Sequence, residues 1–399
     1  MKEVFVMNEA QMIVEAFRRL ETGQRAALAT VVSVEGSSYR RPGARMLITE
    51  SGETTGVLSD GCFEQDVCER AATVISNGQP TLVKYDTTSD DDIVWGLGLG
   101  CSRVIHVLIE PATNERIASL MQLLAECSES STGGAIATVF RVEGDVDANT
   151  GTRALMFPDG TVDGQFVSAS IFDDLSEAVQ LGTSRIKRYE MADGYVDVFV
   201  EYVQPRVRLV VFGAGFDALP VIDLAAKLGW HTTVVDTCMR ASSLERFRKA
   251  DAVLLCRPED VMAQVSLFER SIVVVMTHNY LHDLEVLRQL LPMRLRYLGC
   301  LGPRRRTEGL ILDLSEEDSL NVDAALRRLH APIGLDIGAE TPEEIALSVV
   351  SEIKAVLSDR TGAQLREREG SIHEAFAAIE TPRFSLPIKQ LEVSVACKV

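Results

Sequence analysis

The pattern of hydrophobic and polar positions changes once along the chain. In the first half, segments rich in β-branched residues alternate with amphipathic helical segments, and glycine-containing turns separate them. From Arg206 onward, short and continuously apolar runs alternate with helical stretches, which is typical of buried parallel strands joined by crossover helices. The pattern therefore predicts an α/β protein. We expect an N-terminal domain over 1–205, a second domain over 206–357 and a tail of unassigned structure over 358–399.

The N-terminal domain contains an internal repeat. Ala27–Gly36 (ALATVVSVEG) and Ala135–Gly144 (AIATVFRVEG) are identical at seven of ten positions. The same alignment continues without a gap and brings Asp66 opposite Asp174. Each copy has the pattern of a helix, two strands, a helix and further strands. We therefore expect two related α/β units, covering about 8–111 and 112–205.

Differences between the two copies point to chemistry, because features needed only for folding should occur in both. Cys62 is matched by Ser170, so folding alone does not require sulfur at this position. The segment Asp90–Cys101 has no counterpart in the second copy, and it contains Gly98 and Gly100. Both distinctive cysteines, Cys62 and Cys101, thus belong to the first copy.

Several first-copy residues are candidates for binding a ligand. Gly61 and Cys62 precede a predicted helix, Glu64–Ile75, whose N-terminus favours a thiolate. Alternatively, Cys62 is a small, buried apolar residue with a purely structural role. The glycine-rich segment before Cys101 is suited either to enclosing a planar or anionic ligand or to a mobile surface loop. The remaining candidates, suited to anion binding or to a solvated turn, are Arg40 and Arg41.

The second domain begins with a dinucleotide-type fingerprint. A strand is followed by Gly213–Ala218 (GAGFDA), then by a helix and by a second strand that ends at Asp236. In this G-x-G-x-x-A pattern the first glycine permits the sharp turn and the second lets a phosphate approach the backbone. Asp236 stands where a ribose-binding acid is expected. Further buried strands continue the doubly wound parallel sheet, and they are predicted at Ala252–Cys256, Ile272–Met276 and Leu295–Leu298.

Polar residues follow the predicted strand ends of this domain. His278 comes after one strand, and Arg304 and Arg305 come after another. With Gly213, Gly215 and Asp236 they should gather at the carboxyl edge of the sheet, where ligands bind in such folds. His278 and His282 are four residues apart, but the H-E-x-x-H pattern is absent, so a cleft lining or a helix capped near Asn279 is preferred to a metal site.

Composition narrows the classes of partner. The formal net charge of -18 argues against nucleic acid, whose phosphates require a basic surface. No apolar run has the length of a membrane span, and the N-terminal segment lacks the apolar core of a secretory signal. The eight cysteines form no C-x-x-C pair or regular framework. A cytoplasmic protein with reduced thiols is the expectation.

The order of these motifs resembles the xanthine dehydrogenase accessory family, the XdhC/CoxI type. The matching N-terminal stretches are Gly36–Met46 (GSSYRRPGARM), Asp60–Glu64 (DGCFE) and Gly98–Cys101 (GLGC). Arg206–Leu357 resembles the family's C-terminal Rossmann domain, including Gly302–Arg306 and Gly334–Glu344. The chain departs from the family pattern at Tyr39, often proline, at Asp60, often glycine, and at Phe216, often histidine.

The resemblance implies an accessory protein rather than an enzyme. Such a chaperone binds molybdenum cofactor (molybdopterin), protects it through sulfuration and inserts it into a xanthine dehydrogenase-type molybdoenzyme. The resemblance also implies a homodimer, a cysteine desulfurase as a further partner, and cofactor binding through Cys62 and Cys101, which would contact the metal. The alternatives are an NAD(P)-dependent oxidoreductase that uses the Gly213, Gly215 and Asp236 site, and a non-catalytic module that senses this or another nucleotide.

Overall fold

Two antiparallel sheets of five strands each form the N-terminal part of the protein. The computed structural model describes residues 9–21, 23–36, 40–59, 61, 63–86, 103–112, 115–165, 168–318 and 326–369. The elements of the first unit are α1 (Glu9–Arg18), β1 (Ala26–Gly36), β2 (Arg45–Thr49), β3 (Thr54–Gly56), α2 (Glu64–Asn77), β4 (Thr81–Asp86) and β5 (Arg103–Pro111). The elements of the second unit are α3 (Glu115–Glu129), β6 (Gly134–Gly144), β7 (Arg153–Met156), β8 (Val162–Gly164), α4 (Ser170–Leu181), β9 (Arg185–Met191) and β10 (Gly194–Val203).

The two units have the same topology. The first sheet has the order β3-β2-β1-β5-β4, and the second has the order β8-β7-β6-β10-β9. Each strand of one sheet therefore has a counterpart at the same place in the other, and each sheet has one helix before its first strand and one after its third. The predicted pair of duplicated α/β units is confirmed.

The two sheets pack face to face, and one helix covers the outer side of each. Successive residues of a strand point to opposite faces, so β1 contributes to two cores. Leu28 and Val32 lie on the inner face, where Val32 packs with Phe140 and Phe199 of the second sheet. The outer face of the first sheet packs against α2, and the outer face of the second packs against α4. The helices α1 and α3 close one side of the joint between the units.

Two buried ion pairs cross this joint reciprocally. Arg45 of β2 donates to Glu201 of β10, with 2.9 Å between Nη1 and Oε1. Arg153 of β7, its counterpart, donates to Glu110 of β5, with 3.0 Å between Nη1 and Oε1. All four side chains are at most 10% exposed. Each unit thus contributes the arginine of one pair and the glutamate of the other, as a pseudo-two-fold axis requires.

A six-stranded parallel sheet forms the second domain. Its elements are β11 (Arg208–Phe212), α5 (Ala218–Lys227), β12 (His231–Asp236), α6 (Ser242–Arg246), β13 (Ala252–Leu255), α7 (Val261–Gln264), β14 (Ile272–Val275), α8 (Tyr280–Leu290), β15 (Tyr297–Cys300), α9 (Arg304–Asp318), β16 (Leu329–His330) and α10 (Pro342–Leu357). The strand order is β13-β12-β11-β14-β15-β16, and every paired strand is parallel. Apolar cores lie on both faces of the sheet, so the predicted doubly wound fold is confirmed.

One predicted strand of this domain is displaced. The apolar pattern predicts a strand over 295–298, whereas β15 covers Tyr297–Cys300. Arg296 instead directs its guanidinium to the carbonyl of Val356 and to Asp359 at the surface. Gly299 and Cys300 complete the strand, and glycine is a weak indicator of strand structure. Among the residues that the structure describes, no helix is both long enough and apolar enough to cross a membrane.

Removing one partner of a reciprocal pair should be costly. We expect Arg153→Met to lower the free energy of unfolding by about 3–5 kcal/mol, because Glu110 is left charged and buried without its partner. The double variant Arg153→Met/Glu110→Leu should recover most of this loss. Arg19→Met, which breaks the exposed pair with Glu15, is the control and should cost about 0.2–1 kcal/mol. Urea unfolding measures all three; a double variant no more stable than the single one would contradict the expectation.

Candidate functional site

The segments that carry the candidate cysteines leave the first sheet at one end. Gly36, the last residue of β1, pairs with Arg103, the first residue of β5. Asp86, the last residue of β4, pairs with Val104. The N-terminus of α2 lies at this same end, because Phe63 stacks on Tyr85 with 4.5 Å between the ring centroids. The described neighbours of Cys62 and of Cys101 therefore meet at one end of the sheet.

Four predicted site residues themselves lie outside the described part of the chain. They are Cys62, Gly98, Gly100 and Cys101. Gly61 is described, and it has a φ of +89°, a left-handed conformation that favours glycine. A β-carbon at Gly61 would meet no atom within 4 Å, so the glycine is required by the backbone of the turn rather than by crowding.

Glu64 holds the turn that contains Gly61. Its carboxylate accepts hydrogen bonds from the Ser59 amide at 2.6 Å, from the Ser59 hydroxyl at 2.5 Å and from the Phe63 amide at 3.3 Å. Burial opposes ionisation of Glu64, but these hydrogen bonds outweigh it and lower the pKa of the carboxyl group. The first turn of α2 is thus tied back to Ser59.

The second copy lacks this arrangement. Phe172 occupies the position aligned with Glu64, and it is 48% exposed. Helix α4 already begins at Ser170, the residue aligned with Cys62, whereas α2 begins two residues later in the alignment. A role for Glu64 is not among the sequence-based predictions, although its replacement by phenylalanine in the second copy is a signal that could have revealed it.

The three arginines near Gly43 have different environments. The Arg40 guanidinium pairs with Glu9 at the start of α1, and Glu9 also accepts a hydrogen bond from the Val57 amide. Arg41 is exposed. Arg45 is committed to the buried pair with Glu201. Anion binding by Arg40 and Arg41 stays a prediction, and for Arg40 it would require the pair with Glu9 to open.

The predicted residues of the second domain do gather at the carboxyl edge of the parallel sheet. Gly213 directly follows β11, Asp236 ends β12, His278 lies three residues beyond β14 and Arg304 begins α9 after β15. Gly213 has a φ of +124°, and a β-carbon there would lie 2.3 Å from the carbonyl oxygen of Met276. The loops after β11 and β14 are therefore in contact at the point where the strand order reverses.

The side chains at this edge mostly contact one another. Arg304 and Arg305 are exposed, but Arg306 turns inward and pairs with Asp283 at 2.5 Å. His282 shares a 2.9 Å hydrogen bond between its Nδ1 and the Thr237 hydroxyl. Asn279 caps α8 by accepting hydrogen bonds from two amides of its first turn, as expected. Among the described residues there is no group of three or more histidine, cysteine or acidic side chains placed to hold a metal ion.

Asp236 is engaged by its own loop. The side chain is 1% exposed and accepts hydrogen bonds from the Ser243 hydroxyl at 2.6 Å, from the Cys238 amide at 2.8 Å and from Arg240 Nε at 3.1 Å. Burial raises the pKa of Asp236, but these hydrogen bonds and the charge of Arg240 outweigh it, so the net shift is downward. A ribose would have to displace these partners to reach the carboxylate.

Glu64→Ala should loosen the loop before α2. We expect the Ser59 and Phe63 amides to exchange with solvent about fivefold faster, because the loss of side-chain hydrogen bonds of this kind costs roughly 1 kcal/mol. Phe172→Ala, at the aligned position of the second copy, should leave the exchange of both amides unchanged. Hydrogen exchange read by NMR or mass spectrometry tests this; equal exchange in wild type and Glu64→Ala would contradict the role of the carboxylate.

Asp236→Asn should have a pH-dependent effect on stability. The pKa of Asp236 is lowered in the folded state, so its stabilising contribution is complete above the unfolded-state pKa and is lost as the pH falls through the folded-state value. At pH 7 the variant should be less stable by about 1–3 kcal/mol. The difference should shrink below about pH 4. Denaturant unfolding across pH measures it, and a difference independent of pH would contradict the expectation.

Comparisons with known proteins agree on one family. The model of the XdhC and CoxI family matches residues 19–86 and 127–190, which lie in the first and second copies, and that of the XdhC Rossmann domain matches residues 209–353. A Bacillus subtilis (strain 168) protein, named as a probable subunit of xanthine dehydrogenase, is 34% identical over 334 residues, which cover 84% of this chain and 94% of that protein.

Two further relatives extend the match. The Escherichia coli (strain K12) protein named "Molybdenum cofactor insertion chaperone PaoD" is 22% identical over 357 residues, 89% of this chain and 91% of that protein. A crystal structure from Bacillus halodurans, described as a xanthine dehydrogenase, has a TM-score of 0.70 at 29% identity and covers 90% of this chain and 98% of that one. With both parts matched in order and nearly the whole length of the Bacillus subtilis relative covered, the chain belongs to the XdhC and CoxI family.

Proposed function

We propose that this protein binds molybdenum cofactor and delivers it to a xanthine dehydrogenase-type molybdoenzyme. The observation that carries the proposal is the convergence, at one end of the first sheet, of the described flanks of Cys62 and Cys101. The names of two relatives support it, since one is a molybdenum cofactor insertion chaperone and the other a probable xanthine dehydrogenase subunit.

The chemistry of the first copy is suited to this cofactor. Thiolates are soft ligands that suit such metal centres, whereas the serine hydroxyl at the aligned position 170 is a poor substitute. In the proposal, Cys62 and Cys101 hold the cofactor through its molybdenum, and Gly61, Gly98 and Gly100 leave the backbone bare around them. Glu64 joins Ser59 and Phe63, which are described residues on either side of this cysteine in the sequence, through its hydrogen bonds to both.

The second copy has a supporting role in this proposal. It supplies Glu201 and Arg153, which complete the buried pairs with Arg45 and Glu110 of the first copy. It also supplies the apolar surface that covers the inner face of the first sheet. Binding therefore takes place on one unit while its twin stabilises the fold. A homodimer, a cysteine desulfurase partner and a cytoplasmic location stay predictions from the sequence.

Substituting the cysteines should separate binding from folding. We expect Cys62→Ser and Cys101→Ser each to reduce cofactor retention by about tenfold or more, since even the loss of a group that supports a metal ligand costs about 10–100-fold in affinity. The measurement is the molybdenum and pterin that remain on the protein after anaerobic loading and gel filtration. Activation of the apo form of a xanthine dehydrogenase-type enzyme is a second readout and should fall in parallel.

Ser170→Ala is the matched control, because it changes the aligned position of the second copy and should alter neither retention nor melting temperature. If Cys62→Ser unfolds the protein, the cysteine is a structural residue. If both cysteine variants fold and retain cofactor as the wild type does, the proposed site is wrong.

A further inference from the structure

In the glycine-rich turn Gly213–Ala218, the side chain of Asp217 fills the space beside Gly215. In dinucleotide-binding folds, the second glycine of this turn leaves room for a pyrophosphate to approach the backbone at the helix N-terminus. Here that room lies beside Gly215, and a β-carbon at Gly215 would be 2.4 Å from Oδ1 of Asp217. The carboxylate of Asp217 therefore occupies the space that the missing side chain opens.

A residue from the opposite loop holds this carboxylate. His278 Nε2 lies 2.6 Å from Asp217 Oδ2. His278 follows β14, Asp217 follows β11, and these neighbouring strands flank the point where the strand order reverses. The contact thus bridges the crevice in which such folds bind their ligand. Asp217 precedes α5 without accepting a side-chain cap bond from it, so no helix-capping bond depends on this residue.

The usual acceptor for a ribose is also occupied. Asp236 ends β12, at the position that binds the ribose hydroxyls in NAD-dependent folds. Its two oxygens accept hydrogen bonds from Ser243, Cys238 and Arg240, and the side chain is 1% exposed. Both parts of the fold that recognise a dinucleotide, the pyrophosphate turn and the ribose acid, are therefore engaged within the protein.

We infer that the Asp217–His278 pair closes this Rossmann crevice to the pyrophosphate of NAD(P), with Asp217 as the residue that decides the exclusion. Two negative charges at contact distance repel, and Asp217 Oδ1 lies where a phosphate would approach the backbone of Gly215. A carboxylate only accepts hydrogen bonds, so any group that binds here has to donate them. The inference does not depend on the proposed function, because it concerns a different domain and a different ligand.

As a consequence, the domain has the fold of a dinucleotide-binding protein but does not bind NAD(P). Gly213 remains necessary for another reason, since a β-carbon there would lie 2.3 Å from the carbonyl oxygen of Met276. An oxidoreductase that relies on NAD(P) in this crevice would contradict the geometry. The chain thus has the sequence motif but does not bind the dinucleotide, and one residue, Asp217 at the fifth position of the G-x-G-x-x-A turn, makes the difference.

The test is gain of binding. Isothermal titration calorimetry of the full chain with NAD+ and with NADP+ should detect no binding to the wild type at millimolar ligand. Asp217→Ala removes both the charge and the volume, and it should bind at least one of the two dinucleotides with a Kd about tenfold or more below the millimolar concentration at which the wild type shows no binding. Asp217→Asn removes the charge alone and separates repulsion from crowding.

Asp223→Asn provides the control, because Asp223 is an exposed acid on the same helix that pairs with Lys249. It should bind neither dinucleotide. Melting temperatures establish that all variants are folded. The inference is overturned if the wild type binds NAD+ or NADP+ at micromolar concentration, or if folded Asp217→Ala binds no better than the wild type.

Discussion

The reciprocal ion pairs between the two units are the constraint on which the N-terminal architecture depends. Arg45 pairs with Glu201, and Arg153 pairs with Glu110, across a joint that also contains apolar side chains and a 3.2 Å contact between Arg141 and His106. Charges this deeply buried are tolerated only when they are paired, so each arginine has to face its glutamate while the two inner faces are packed together. Gly43 and Gly151 belong to the same constraint, because a β-carbon on either would lie within 3 Å of a glutamate oxygen. The position of each sheet relative to its twin follows from these contacts.

Duplication then allows the two units to diverge. With the joint fixed by residues common to both copies, the first copy differs in the turn before α2 and in the long segment between β4 and β5. Glu64 stabilises the first of these features, and the stacked rings of Phe63 and Tyr85 connect it to the end of β4. The second copy keeps a short connection, from Met191 to Gly194, and starts α4 at Ser170. In the proposed function, ligand chemistry belongs to the first copy, while both copies share the contacts of the joint.

Local patterns in the sequence were sufficient to predict the architecture, but they did not predict the side-chain contacts between distant residues. The repeat, the glycine turn and the helix cap near Asn279 can each be recognised in the sequence, and the structure contains all three. The partners of Arg45 and Arg153 are distant in the sequence, so no local pattern reveals them. Asp236 shows the same limit: its place at a strand end is predictable, but the Ser243 and Arg240 contacts that engage it depend on how the following loop folds.

The central claim is that this chain carries molybdenum cofactor and no nicotinamide dinucleotide. The most direct measurement is the content of the protein purified under anaerobic conditions from molybdenum-replete cells. Bound molybdenum is quantified by mass spectrometry, pterin by the fluorescence of its oxidised product, and nucleotide by chromatography. The account predicts molybdenum and pterin in equal amounts, approaching one per chain, with no NAD(P). Recovery of stoichiometric NAD(P) without pterin would contradict it.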